Sequence, residues 1–280
     1  MHGARIRTIA AFIGAAVVAS LAGCGGTASS PTPSAHWVVT SAAIPGPSIG
    51  ETVDATTLDR EVSQAMLDAG SCEITITGDG VQLDGQIRLD SGGMDVSLDV
   101  QLSGKTVALR VLAGAMYADM HELAPGTKWV KVSPDGTDSL TQQVRSVLHW
   151  LWELSDPLAL GGLPEGMAPK TLTVVGNASV DGVVTTRYAA ETVLTRDQVA
   201  TLLSAVPPDQ RVAVDAFVGT TIRFEEFIDA DLLPHRVFVE LTRPDGAQFA
   251  NTVEYTNWGT PVTVTAPPAS EVTDLSTPTK

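Results

Sequence analysis

Two hydrophobic periods divide this chain. From Asp54 to Ala69, Val62, Ala65, Met66 and Ala69 recur at helical spacing, and Gly70 is a natural stop, so the pattern predicts a helix there. Directly afterwards the period becomes two. In Cys72-Glu73-Ile74-Thr75-Ile76-Thr77 apolar and polar positions alternate. Val81, Leu83, Ile87 and Leu89 alternate with Gln82, Asp84, Gln86, Arg88 and Asp90. Met94, Val96, Leu98, Val100 and Leu102 alternate with Asp95, Ser97, Asp99 and Gln101. Lys105 to Leu112, Ala115 to His121 and Lys128 to Ser133 continue the series. The connections Gly78-Asp79-Gly80, Ser91-Gly92-Gly93 and Ser103-Gly104 are short and turn-forming. Such strands predict an antiparallel meander with one wet face and one apolar face.

The helical period then returns. Leu140, Val144, Val147, Leu148, Leu151 and Leu154 form one apolar stripe, widened by Trp150 and Trp152, which predicts an amphipathic helix over Ser139 to Leu154. Asp156-Pro157 and Gly161-Gly162 end it. Strands are expected at Thr171 to Gly176 and Val183 to Thr192, then helices at Arg196 to Ala205 and Pro208 to Gly219. Three last strands follow at Thr221 to Ile228, Arg236 to Arg243 and Ala247 to Trp258. The tally is about eleven strands with about four helices, an α+β chain.

A long antiparallel sheet twists and curls, and helices bury its apolar face only by packing on the concave side. The expected fold is therefore a strongly curved antiparallel half-barrel sheet with helices on its concave face. So few helices leave part of the concavity unfilled. The candidate cavity lining is Met94, Val96, Leu98 and Val100; Val107, Leu109, Val111 and Met116; and, from the amphipathic helix, Val144, Leu148, Leu151 and Trp152. The Trp150/Trp152 pair reads equally as plain core or as a ligand-contacting wall.

The start of the chain has another character. Arg5 and Arg7 precede an apolar run from Ile9 to Ala22, the layout of a secretory leader rather than of a spanning helix. The run ends in Leu21-Ala22-Gly23-Cys24, which resembles the bacterial lipobox. That resemblance implies cleavage before Cys24 and a diacylglyceryl group on its thiol. From Gly25 to Gly50, Gly, Ser, Thr, Ala and Pro dominate, a linker composition. A tether of about 30 residues spans roughly 30 Å on average and at most about 100 Å. His36-Trp37-Val38-Val39 interrupts it and either docks on the body or dips into the membrane interface. The expected organisation is residues 1–23 as leader, 24–53 as lipidated Cys24 and tether, 54–266 as one body, and 267–280 as a loose tail.

Charge narrows the partners. The 17 Lys and Arg stand against 32 Asp and Glu, a net of −15. Losing Arg5 and Arg7 with the leader leaves 15 bases against the 32 acids, a net of −17. A body this acidic repels nucleic acid and anionic headgroups, so nucleic-acid binding and anchoring through a basic patch are excluded. Acyl chains contribute about 0.8 kcal/mol per buried methylene, and two or three of them anchor without basic residues. Two cysteines among 280 residues exclude a disulfide scaffold, and lipidation of Cys24 would leave Cys72 without an intrachain partner. Cys72 lies on the apolar phase of its strand and reads as core.

Catalytic patterns are absent. His121-Glu122 lacks the second His of a metalloprotease, and no G-x-S-x-G elbow, phosphate loop or dinucleotide fingerprint occurs. Ser133-Pro134-Asp135-Gly136-Thr137-Asp138 lacks full calcium-loop spacing and reads as a hairpin turn. The Asp229/Asp231 pair is unremarkable in so acidic a chain. No cofactor, metal or enzymatic activity is expected.

Several ordered segments of the body resemble the actinobacterial LppX/LprA/LprF/LprG lipoprotein family. They are the lipobox, the hairpin series ending in Thr127-Lys128-Trp129-Val130-Lys131-Val132, and Leu158 to Gly162. Val180-Asp181-Gly182-Val183-Val184-Thr185-Thr186-Arg187-Tyr188, the helix pair, and Asp229-Ala230-Asp231-Leu232-Leu233-Pro234-His235-Arg236-Val237 complete the series. The chain departs at Leu232-Leu233, where the pattern places a Gly before Leu-Pro, which bears on the turn. The resemblance implies a LolA/LolB-like half-barrel closed by helices, with an apolar cavity for acyl chains. It implies a lipid-anchored protein on the extracytoplasmic face of the cell membrane that binds lipid or glycolipid and carries it across or within the envelope, with an unknown transporter partner and no catalytic residues. The alternative is an anchored non-catalytic scaffold or interaction module with a filled core.

Overall fold

The computed structural model describes residues 47–78, 81–90, 93–102, 105–112, 115–119, 128–132, 169–204 and 217–274. Within them the chain is mostly sheet, one curved and unclosed sheet of 13 strands.

The first helix, α1 (Ala55–Ala69), begins where the Asp54 side chain accepts a hydrogen bond from the Thr57 amide at 2.8 Å. It ends at Gly70, whose φ of 77° is the left-handed stop that glycine supplies cheaply. Its buried side chains are Ala55, Leu58, Val62, Ser63 and Met66. They form one stripe facing the sheet.

The meander follows as β2 (Ser71–Gly78), β3 (Val81–Asp90), β4 (Gly93–Leu102), β5 (Lys105–Leu112), β6 (Ala115–Asp119) and β7 (Trp129–Val132). The second half supplies β8 (Thr171–Val180), β9 (Val183–Val193), α2 (Arg196–Ser204), β10 (Thr221–Ile228), β11 (Pro234–Thr242) and β12 (Gln248–Thr256). Two short strands flank everything: β1 (Thr52–Asp54) and β13 (Val272–Asp274). The order across the sheet is β1-β8-β9-β10-β11-β12-β2-β3-β4-β5-β6-β7-β13. β12 thus joins the two halves by pairing with β2, as in Val253 opposite Ile76. All pairings are antiparallel except β13 with β7.

The expected count of about eleven strands falls short by these two edge strands. Three residues are too few to show a period, and each is defined by its partner rather than by its own pattern. β1 pairs with β8 inside the expected tether, and β13 pairs with β7 inside the expected loose tail. Lys128–Glu271 and Lys131–Asp274 ion pairs hold β13 against its neighbour. Between β12 and β13 the chain crosses the outer face. Ser71 Oγ donates to the Thr260 carbonyl at 2.7 Å, and Arg110, stacked 4.8 Å over the Trp129 ring, donates to the Thr265 carbonyl at 2.9 Å.

β8 runs past the expected end at Gly176 to Val180. The register shifts between Val174 and Gly176, whose φ is 144°, and a sequence reading stops a strand at such a glycine. β8 and β9 are joined by Asp181-Gly182, with φ of 49° and 85°, the two positive angles of a tight hairpin turn. At the departure from the family pattern, Leu232 takes a φ of 63° where a Gly was expected. Asp229 Oδ1 holds that turn by accepting from the amides of Asp231 and Leu233, both at 2.9 Å, and its Oδ2 meets His235 Nε2 at 2.9 Å. The left-handed turn is kept without the glycine.

The helix expected over Ser139 to Leu154, Leu158 to Gly162, the Ser133 to Asp138 turn, His121 and most of the Pro208 to Gly219 stretch lie outside the described residues. Residues 217–219 of the last stretch form a turn. Among the described residues no helix is long and apolar enough to cross a membrane.

Candidate functional site

Residues directly opposite each other on neighbouring strands share a face, so the register traces continuous rows across the sheet. One row joins Cys72, Ile87, Val96, Val111 and Met116. The next joins Ile74, Gly85, Leu98, Leu109 and Ala118. In that row a Cβ on Gly85 would lie 2.2 Å from the Ser97 carbonyl and 2.6 Å from Leu98 Cδ2, so Leu98 fills the place of the missing side chain.

The longest row crosses both halves. It runs Val174, Tyr188, Glu226, Val237, Val253 and Ile76, and continues through Leu83, Val100 and Val107. This inner face carries the core, on which α1 lays its apolar stripe. α1 packs against β1, β2, β3 and β8.

Of the predicted lining, Val96, Leu98, Val100, Val107 and Met116 are buried on this face. Met94, Leu109 and Val111 are partly buried and pack against the same core. The register thus brings the eight strand residues onto one surface. Val144, Leu148, Leu151, Trp152 and Cys24 lie outside the described residues. Cys72 is free and fully buried, and burial pushes its thiol up to about 12, with Glu73 adding to the effect. Such a thiol is inert at neutral pH.

Glu226 was not anticipated. It sits on the inner face of β10, in the phase of Ile222 and Phe224, and is 3% exposed. Its Oε2 has no hydrogen-bond partner. Burial, and secondarily the charge of Asp59 on α1, raise its carboxyl to about 8, so it is mostly protonated at neutral pH. Beside it, burial and then the Glu226 charge raise the Tyr188 phenol. Tyr255 is raised by burial first, then by Cys72 and Glu226. The sequence signal existed. Adjacent Glu225 and Glu226 in a strand of period two require one of them to face inward.

Glu225 points outward and is satisfied. Arg187 donates to it twice, Nε to Oε2 at 3.0 Å and Nη2 to Oε1 at 2.6 Å, and Arg223 also reaches Oε1. Phe227, on the same outer face, lies between two guanidinium groups, Arg187 at 5.9 Å and Arg236 at 5.8 Å from its ring centroid. Arg236 in turn pairs with Glu254 at 2.6 Å. Among the described residues no group of three or more His, Cys, Asp or Glu is placed to hold a metal ion.

No family model matches the chain. No curated protein matches it either. The crystal structure of LprF from Mycobacterium bovis is similar over 76% of this chain and 96% of that one, at 15% identity and a TM-score of 0.43.

Proposed function

We propose that this protein is a membrane-anchored lipoprotein that holds the acyl chains of a lipid or glycolipid in an apolar cavity on its concave face and carries them across or within the cell envelope. The observation that carries this reading is the apolar inner face of β2 to β6. It extends through Val96, Leu98, Val100, Val107 and Leu109, beyond the strands against which α1 packs. The rest of the lining falls to Val144, Leu148, Leu151 and Trp152 of the amphipathic helix. Residues 1–23 act as leader and Cys24 carries the anchor, while the stretch between Cys24 and β1 lets the body stand off the extracytoplasmic face of the membrane. The body, from β1 to β13, works without catalysis, and exchange occurs when the helices part from the sheet. Burying one 16-carbon chain is worth on the order of 10 kcal/mol before costs, ample for carriage.

Leu109→Trp tests the wall. The full chain with Cys24→Ser, so that no attached acyl group competes, is titrated with palmitate. The indole fills space on the inner face, and uptake is expected to fall at least about fivefold while the melting temperature moves by only a few degrees. A folded variant that takes up palmitate fully removes Leu109 from the lining. Wild-type protein that takes up none favours a scaffold with a filled core.

A further inference from the structure

The two edges of the sheet are covered unequally. β13 pairs with Trp129, Val130 and Lys131, three of the four residues of β7. β1 pairs with Thr171, Leu172 and Thr173, three of the ten residues of β8, and Gly50 and Glu51 extend the contact to Val174. Among the described residues no strand pairs with the outer edge of β8 from Val175 to Val180. Val180 and Val183 flank the two-residue turn and bond to each other, so Ala178 and Gly176 also bond to β9. The N–H and C=O of Asn177 and Ser179 therefore point away from β9, and both residues are exposed. At the near end of this stretch Val175 is 44% exposed and Ile49 is 77% exposed. Apart from the bulge at its start, Val175-Gly176-Asn177-Ala178-Ser179-Val180 has none of the usual guards of an open edge, neither a charge nor a proline.

We infer that His36-Trp37-Val38-Val39-Thr40 of the tether adds to this edge as an extra strand, bonded to the backbone of Asn177 and Ser179. The segment itself lies outside the described residues. Its composition selects it: Trp, Val, Val and Thr favour strands, and they stand among Gly, Ser, Ala and Pro. Its place in the chain selects it again. Gly50 donates to the Val174 carbonyl at 2.8 Å, so the tether meets the body at the near end of the open stretch. The Glu51 amide donates to the Ser48 carbonyl at 2.9 Å and Gly50 has a φ of 85°, a turn that reverses the chain at this point. Residues 41–47 span at most about 25 Å, against about 17 Å from Val174 to Ser179.

The small size of the edge also favours a linked segment. A strand of this length buries far less than the roughly 1,200 Å² of a stable interface between separate molecules. A short linker supplies an effective concentration on the order of millimolar and removes that requirement. Neither the segment nor the edge carries a carboxylate, so the acidity of the chain does not oppose their pairing. The pairing does not depend on the lipid-carrying reading, but its effect on reach rests on the anchor at Cys24. With His36 to Thr40 docked, residues 25–35 remain as tether and reach at most about 40 Å, against about 80 Å for residues 25–47. Docking thus holds the β8 edge as the membrane-proximal side of the body.

The test is amide hydrogen exchange read by NMR on the full chain with Cys24→Ser, alone and with Val38→Pro or Trp37→Gly added. Proline removes a donor and restricts the backbone of the docking strand, and Trp37→Gly removes its largest side chain. We expect the Asn177 and Ser179 amides to exchange at least about tenfold faster in both variants than in the parent. The Gly176, Ala178 and Val180 amides, bonded to β9, should keep their rates. Asn177 and Ser179 amides that already exchange freely in the parent would overturn the inference and leave His36 to Val39 to the membrane interface. Equal protection in all three proteins would also overturn it and assign the edge to another occupant, a second copy of the chain if the protection is lost on dilution. If Val38→Pro also speeds Gly176, Ala178 and Val180, it has loosened the hairpin, and Trp37→Gly decides by the same criterion. None of these outcomes touches the cavity, so the inference and the carrier reading stand or fall separately.

Discussion

Replacing Glu226 by Gln is expected to raise the melting temperature by about 5–10 °C at pH 8 and to leave it nearly unchanged near pH 4.5. The sign follows from the direction of the shift. The folded-state carboxyl is raised to about 8 from an ordinary value of 4.5, so the native chain retains a proton that the unfolded chain releases. Below pH 4.5 both states hold it and the residue costs nothing extra. As pH rises through that value the unfolded state gains, and stability drains away until the native carboxyl ionises near pH 8. The accumulated cost is on the order of 3 kcal/mol at neutral to mildly alkaline pH. Gln has the same size and no titration, so it removes this cost and keeps the packing. Thermal melts of both proteins from pH 4 to 9 measure it. An unchanging difference between the two would show that the proton is not the cause. A less stable variant at pH 8 would show a charged, paired carboxylate.

The second large effect is on the outer face. Arg187→Ala is expected to cost about 2–4 kcal/mol, read as an earlier midpoint in urea denaturation. Glu225, 6% exposed, would lose both bonds from Arg187 and keep only Arg223. Phe227, 3% exposed, would lose one of its two covering guanidinium groups. Arg187→Lys restores charge but not the two-pronged geometry, and should recover only part of the loss. Arg236→Ala should cost less, because Glu254 retains more contact with water. A loss for Arg187→Ala no larger than that for Arg236→Ala would contradict this account of the face.

The fold was legible wherever a period had length to declare itself. The alternation through Val96, Leu98 and Val100 located β4 and its inward face, and Asp54 and Gly70 marked the ends of α1. What failed was set by partners rather than by pattern. β1 and β13 exist because β8 and β7 offer open edges, and nothing in Thr52–Asp54 or Val272–Asp274 reveals that. Gly176 looked like a strand end and is a bulge. Leu232 shows the reverse. The missing glycine pointed to the right backbone position, and Asp229 supplies the bonds that let leucine occupy it. Within the candidate site the shared inward face of the strand residues was readable from phase alone. Glu226 was hidden because a strand reading discounts one polar residue in an apolar phase, and only the register shows which carbon wall that residue shares.

The carrier reading meets its most direct test in the intact mass of the protein as a cell makes it. The full chain with Cys24→Ser, produced in an actinobacterial host and purified without detergent, is weighed under native conditions. The account predicts adducts of discrete lipid mass that are lost on solvent extraction. A bare protein mass, with no uptake of 1-palmitoylglycerol or palmitate added afterwards, would contradict it.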